Sequence, residues 1–90
     1  MSIPDWIIKR TDTFLKQLKK HKNNHDLLKE LDKKIQRLRE NPDFGGYLSG
    51  PLHGKKSTRL VGKYRLIFQV DEANRTVLLV AIDHRGKVYD

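Results

Sequence analysis

The chain has no cysteine. That excludes a disulfide framework and a thiolate metal centre, and at 90 residues it points to a reducing cytosol. No apolar run approaches the roughly 20 residues needed to cross a bilayer. The opening Met1-Ser2-Ile3-Pro4-Asp5 lacks the basic-then-apolar layout of a signal peptide. Acid is scarce: 11 Asp and Glu stand against 19 Lys and Arg, a formal net charge of +8. No clustered carboxylates are available to hold Mg²⁺ for two-metal nuclease chemistry. The phosphate-loop, dinucleotide-binding and HExxH patterns are missing too. His21 and His25 are four apart, but they flank a polar connection and read as solvated, so no metal site and no cofactor is expected. What is present is a basic surface suited to a polyanion, nucleic acid foremost. A single domain, residues 1–90, accommodates the whole chain. Its core must be small, because a chain this short buries only roughly 60–65% of its unfolded surface.

The clearest pattern is Ser57–Val70, STRLVGKYRLIFQV. Tyr64, Leu66, Phe68 and Val70 alternate with Arg65, Ile67 and Gln69, the two-residue period of a strand with unlike faces. With Val61-Gly62-Lys63 as the connection, Leu60 pairs with Tyr64 and Arg59 stands opposite Arg65. Like charges directly across a strand pair are mildly destabilising. Such a pair either grips an anion or splays into water.

Before this hairpin, Trp6–Arg10 reads as a first strand. Thr11 or Asp12 then N-caps a helix with an apolar stripe of Phe14, Leu15 and Leu18. After a polar link at 21–24, Leu27, Leu28, Leu31, Ile35 and Leu38 define the apolar face of a second helix, with a Glu30–Lys34 pair on its polar side. Asn41-Pro42 stops it. Residues Asp43–Lys56 are glycine-rich and read as loop, pinned to the core by Phe44, Tyr47, Leu48 and Leu52. Beyond a turn at Asp71–Arg75, the nearly unbroken apolar run Thr76–Ile82 reads as a well-covered central strand. The expected fold is α+β, in the order β-α-α-β-β-β. An antiparallel-rich sheet of about four strands carries an N-terminal helical hairpin on one face.

The basic and phenolic residues that such a sheet gathers are Lys55, Lys56, Arg59, Arg65, His84, Arg85 and Tyr89. Metal-free cleavage of RNA needs three things: a base for the 2′-OH, charge stabilisation for the phosphorane and an acid for the leaving 5′-oxygen. Arginine suits the second task; histidine, lysine or tyrosine suits the others. Composition alone does not select this reaction, because each residue also has a packing or solubility role open to it.

Leu52-His53-Gly54, Arg59-Leu60, Tyr64-Arg65-Leu66-Ile67-Phe68 and the tail His84-Arg85-Gly86-Lys87-Val88-Tyr89 resemble the RelE/ParE toxin superfamily, RelE-like members of archaea or bacteria above all. The resemblance covers essentially the whole chain. It implies the toxin of a type II toxin–antitoxin system. The implied activity is that of an mRNA interferase: ribosome-dependent, metal-independent cleavage of mRNA in the A site, leaving a 2′,3′-cyclic phosphate and inhibiting translation. The implied partners are a RelB-like antitoxin, the ribosome and mRNA, with no membrane, a monomeric toxin and larger complexes built through the antitoxin.

Carried over residue by residue, Arg59, Arg65, His84, Arg85 and Tyr89 are the implied catalytic set. Lys55, Lys56, Lys63 and Lys87 are the implied RNA contacts. Which of Lys56, Thr58 and Arg59 fills the family's lysine positions stays open. Asp83 stands where some members carry a basic residue, and an acid there either serves as a base or weakens catalysis. Two other readings remain beside this one: a ParE-like inhibitor of DNA gyrase, and an inactive module that binds RNA or the ribosome through charge.

Overall fold

The computed structural model describes residues 5–84. Thr11 N-caps the first helix, its hydroxyl accepting from the Phe14 N–H at 3.0 Å. Asn24 does the same for the second helix through the Leu27 N–H at 3.2 Å. The element order is β1 (Ile7–Arg10), α1 (Asp12–Lys20), α2 (His25–Glu40), β2 (Gly46–Tyr47), a 3-10 turn at Gly50–Leu52, β3 (Lys56–Arg59), β4 (Tyr64–Asp71) and β5 (Thr76–His84). The strands form one mixed sheet in the order β1-β5-β4-β3-β2. β1 runs parallel to β5 and every other pairing is antiparallel. The architecture is the expected α+β one, with five strands where four were expected. The extra strand, β2, is two residues long and pairs Gly46 with Ser57 and Tyr47 with Lys56. A glycine and one tyrosine carry no alternation to be seen in advance.

Each helix has one apolar face, and the sheet supplies the surface that buries it. Phe14 from α1 and Leu27, Leu31 and Leu38 from α2 pack with Leu60, Leu66, Phe68, Val77, Leu79 and Ile82 in a single core. Leu15, expected in the α1 stripe, is 45% exposed. Phe14 and Leu18 suffice to dock a nine-residue helix, and Leu15 falls outside the arc they define. In the loop after α2, Phe44 reaches the core edge against Phe68, with Arg37 stacked on its ring at 4.1 Å. Tyr47, expected to be pinned inward, is 77% exposed. The Glu30–Lys34 pair is present at 3.7 Å.

β5 holds the interior position its apolar run suggested, flanked by β1 and β4. Its alternation is broken once. Ile67 pairs with Ala81 and Phe68 with Leu79, leaving Val80 as an extra residue, a β-bulge. Val77 and Leu79 point to the helices before the bulge, and Ile82 does so after it. A bulge shifts the two-residue phase by one. Without it, Ala81 and Asp83 would face the core. With it, Asp83 lies beside Arg65 on the sheet face away from the helices, and His84 lies beside Tyr64 on the helix side.

Candidate functional site

The site is assembled at the hairpin end of the sheet. Gly62, at φ +57°, lets the chain reverse between β3 and β4. The Leu60 N–H then donates to the Tyr64 carbonyl at 2.9 Å. That register sets Arg59 opposite Arg65, as the three-residue connection implies, and the next pairing sets Arg65 opposite Asp83. Arg59, Arg65 and Asp83 therefore form one row across three adjacent strands.

Within the row the two arginines differ. Arg65 Nε donates to Asp83 Oδ2 at 2.7 Å, with the Asp83 side chain 2% exposed and that of Arg65 23% exposed. Burying an ionised carboxylate is costly unless a cation and hydrogen bonds compensate it. Arg65 supplies that compensation. Arg59 is exposed and makes no ion pair among the described residues. Together with Ser57 and Tyr64 the arginines line a cavity of about 230 Å³. One paired guanidinium and one solvated guanidinium at a shallow cavity make a site for an oxyanion, with planar forks of donors matched to phosphate.

Behind this row is an aromatic cluster that sequence reasoning missed. His21, at the C-cap of α1, sits edge-on to Tyr64 with ring centroids 5.2 Å apart. His84 meets the Tyr64 ring at 4.9 Å and 80°. In the sequence the partner that His21 suggests is His25, four residues away. The contact that matters is with Tyr64, 43 positions along the chain, and no local pattern announces it.

The bulge that sets this geometry is held by α1. Thr11 Oγ1 donates to the Val80 carbonyl at 2.6 Å, and Gln17 Oε1 accepts from the Ile82 N–H at 2.7 Å. β1 has ended by then, so these side chains satisfy backbone groups along the β5 edge that would otherwise lack a strand partner. The only signals in the sequence are a Thr at the cap position and a Gln on an apolar helix face.

Of the other expected residues, Lys63 is exposed in the hairpin turn beside the site, and Lys55 is half-buried just before β3. Lys56 is placed differently. It pairs with Phe68 and so lies on the helix side of the sheet, 7% exposed. Its Nζ stands 5.2 Å from the Tyr47 ring centroid and 5.9 Å from that of Phe68. The sheet thus separates Lys56 from Arg59 and Arg65. The reason is register: Lys56 is the first residue of β3, not the last of a loop. Arg85, Lys87 and Tyr89 lie outside the described residues.

A larger cavity of about 720 Å³ opens at the far end of β4, lined by Trp6, Asp43, Tyr47, Lys56, Asp71 and Glu72 among others. Its carboxylates suit a polyanion poorly. The Asn74 side-chain amide, together with the Asn74 backbone N–H, holds the exposed Asp71 carboxyl below the usual range. Among the described residues no three His, Cys, Asp or Glu converge to hold a metal ion, and no helix is long and apolar enough to cross a membrane.

Comparison with known proteins places this geometry in context. A family model described as the ParE toxin of type II toxin–antitoxin systems matches residues 8–89. A Methanocaldococcus jannaschii protein named "Putative toxin RelE4" is 32% identical over 83 residues, spanning 92% of this chain and 86% of that protein. The isolated RelE toxin of Escherichia coli superposes with a TM-score of 0.74 at 19% identity, over 92% of this chain and 87% of its own. The intact E. coli RelBE toxin–antitoxin complex gives 0.71 at 19% identity, over 88% and 95%. The two superpositions show a common fold.

Proposed function

The chain belongs to the RelE/ParE family of type II toxin–antitoxin toxins, and from that premise we propose that it is an endoribonuclease that cleaves mRNA in the ribosomal A site without a metal ion. The observation that carries this reading is the pairing of Arg59 with Arg65 at one small cavity that Ser57 and Tyr64 also line. In the reaction, the RNA 2′-oxygen attacks the adjacent phosphorus while the bond from phosphorus to the 5′-oxygen breaks. The products are a 2′,3′-cyclic phosphate and a 5′-hydroxyl. Arg59 and Arg65 stabilise the charge gathered on the phosphorane. One proton leaves the 2′-OH and one reaches the 5′-oxygen. Arg85 and Tyr89 are the groups assigned to these transfers; His84, the other expected member, pairs with Tyr64 on the helix side of the sheet, across from Arg59 and Arg65. Lys55, Lys63 and Lys87 hold the RNA backbone, and Lys56 packs on the opposite face. The whole chain, residues 1–90, acts as one toxin domain in the cytoplasm. Its partner is a RelB-like antitoxin, a proposal supported by the relative whose structure is a toxin–antitoxin complex.

A second reading, inhibition of DNA gyrase without RNA chemistry, is favoured by the ParE description of the matching family. Primer extension on translated mRNA, run beside a gyrase supercoiling assay, separates the two. The nuclease reading expects discrete breaks that need ribosomes and fall by roughly 10²-fold or more in folded Arg65→Ala, the scale of a lost oxyanion donor. Intact mRNA with inhibited gyrase refutes it.

A further inference from the structure

We propose that Asp83 is a positioning residue for Arg65: it fixes the guanidinium by its Nε edge so that the two terminal nitrogens meet the phosphate end-on. This rests on the nuclease reading above. The bond is short, 2.7 Å, and one partner is almost wholly buried, which is the setting in which a charge-assisted hydrogen bond constrains geometry most. It engages Nε alone, and among the described residues the terminal nitrogens of Arg65 carry no hydrogen bond. An arginine guanidinium offers paired N–H groups on two edges, the side edge that includes Nε and the end-on edge of the two terminal nitrogens. Holding Nε leaves the end-on edge for substrate. Arg59, exposed across the strand pair, is the adaptable member and Arg65 the fixed one. The fold also invests a bulge, a threonine and a glutamine in bringing Asp83 to this face instead of the core.

Asp83→Asn preserves shape and removes a negative charge near the proposed phosphate site. If Asp83 only moderated charge, the substitution would tighten RNA binding and leave turnover intact or faster. If Asp83 positions Arg65, turnover falls although the site is more positive.

The experiment pairs kinetics with nitrogen-15 NMR of the arginine Nε–H groups, on wild type, Asp83→Asn and Asp83→Ala, with backbone amide spectra to confirm folding. The expected result is a drop in kcat of roughly 10- to 100-fold, the scale of a small misplacement at a reacting centre, with KM unchanged or lower. Asp83→Asn, which keeps an acceptor oxygen, should lose less than Asp83→Ala. The Arg65 Nε–H signal, slow to exchange in wild type, should exchange faster in both variants. Wild-type kcat in folded Asp83→Asn, or an unaltered Arg65 Nε–H exchange rate, overturns the proposal. Should wild type itself leave RNA uncut, the nuclease reading fails, and the NMR measurement decides the positioning of Arg65 alone.

Discussion

Thr11→Val tests whether one hydroxyl does two jobs. The substitution keeps the branched shape and deletes an acceptor for the Phe14 N–H and a donor to the Val80 carbonyl. Losing an N-cap costs about 1 kcal/mol. Losing the Val80 bond costs about another 1 kcal/mol, because the carbonyl sits half-buried at the bulge with no strand partner to replace the hydroxyl. The sum, about 2 kcal/mol, is a large share of the stability of so small a domain. With an m-value on the order of 1 kcal/mol per molar urea, the midpoint should fall by roughly 2 M, and Tm by roughly 8–16 °C. Thr11→Ser keeps both hydrogen bonds and should lose less than about 1 kcal/mol, from one methyl group. Paired urea titrations followed by far-UV circular dichroism make the comparison. A Thr11→Val midpoint matching wild type, or Thr11→Ser and Thr11→Val falling together, would refute the argument that the hydroxyl clamps helix and bulge.

Gly45→Ala and Gly62→Ala share a positive φ, but a Cβ at Gly45 would stand 2.7 Å from the Ser57 carbonyl oxygen, while one at Gly62 meets open space. Gly62→Ala should cost about 1–2 kcal/mol and Gly45→Ala clearly more; equal urea midpoints would contradict this. Lys56→Ala should lower stability by about 1 kcal/mol through lost stem packing and ring contacts and spare RNA cleavage relative to Arg59→Ala, which should do the reverse. Denaturation and primer extension on the same preparations decide it. Asp71 titrates below its ordinary value because Asn74 donates to its ionised form. The stabilisation this lends is present above the unfolded-state pKa and fades as pH drops through the lower folded-state value. In Asn74→Ala the Asp71 midpoint should move up, visible in a carboxyl carbon-13 NMR titration, and an unmoved midpoint removes Asn74 as the cause.

The parts of this fold visible in advance are those written in short-range periodicity. Leu27, Leu31 and Leu38 repeat at helical spacing and are buried. Tyr64 to Val70 alternates, and counting back through Gly62 gave the pairing of Arg59 with Arg65. Long-range consequences were hidden. Val77 to Ile82 is apolar throughout, so nothing in it marks Val80 as the residue where the phase slips. Once that slip is missed, Asp83 cannot be assigned to a face, and its partnership with Arg65 stays out of sight. Lys56 reads as loop, but as the first residue of β3 it joins the alternation and takes the face of Thr58, opposite that of Arg59. The His21–Tyr64–His84 cluster joins a helix end to two strands and exists only after the chain has folded.

The pairing of β1 with β5 joins residues 7–10 to residues 76–79, and this dictates when the molecule can come into being. Until residues 76–84 have been synthesised, the first strand has no neighbour, β4 has one empty flank, and Arg65 has no carboxylate to rest against. A nascent chain therefore carries helices and a hairpin but no finished cleft. For a toxin proposed to cut mRNA on the ribosome, the cleft is complete only once the last interior strand has been made and paired.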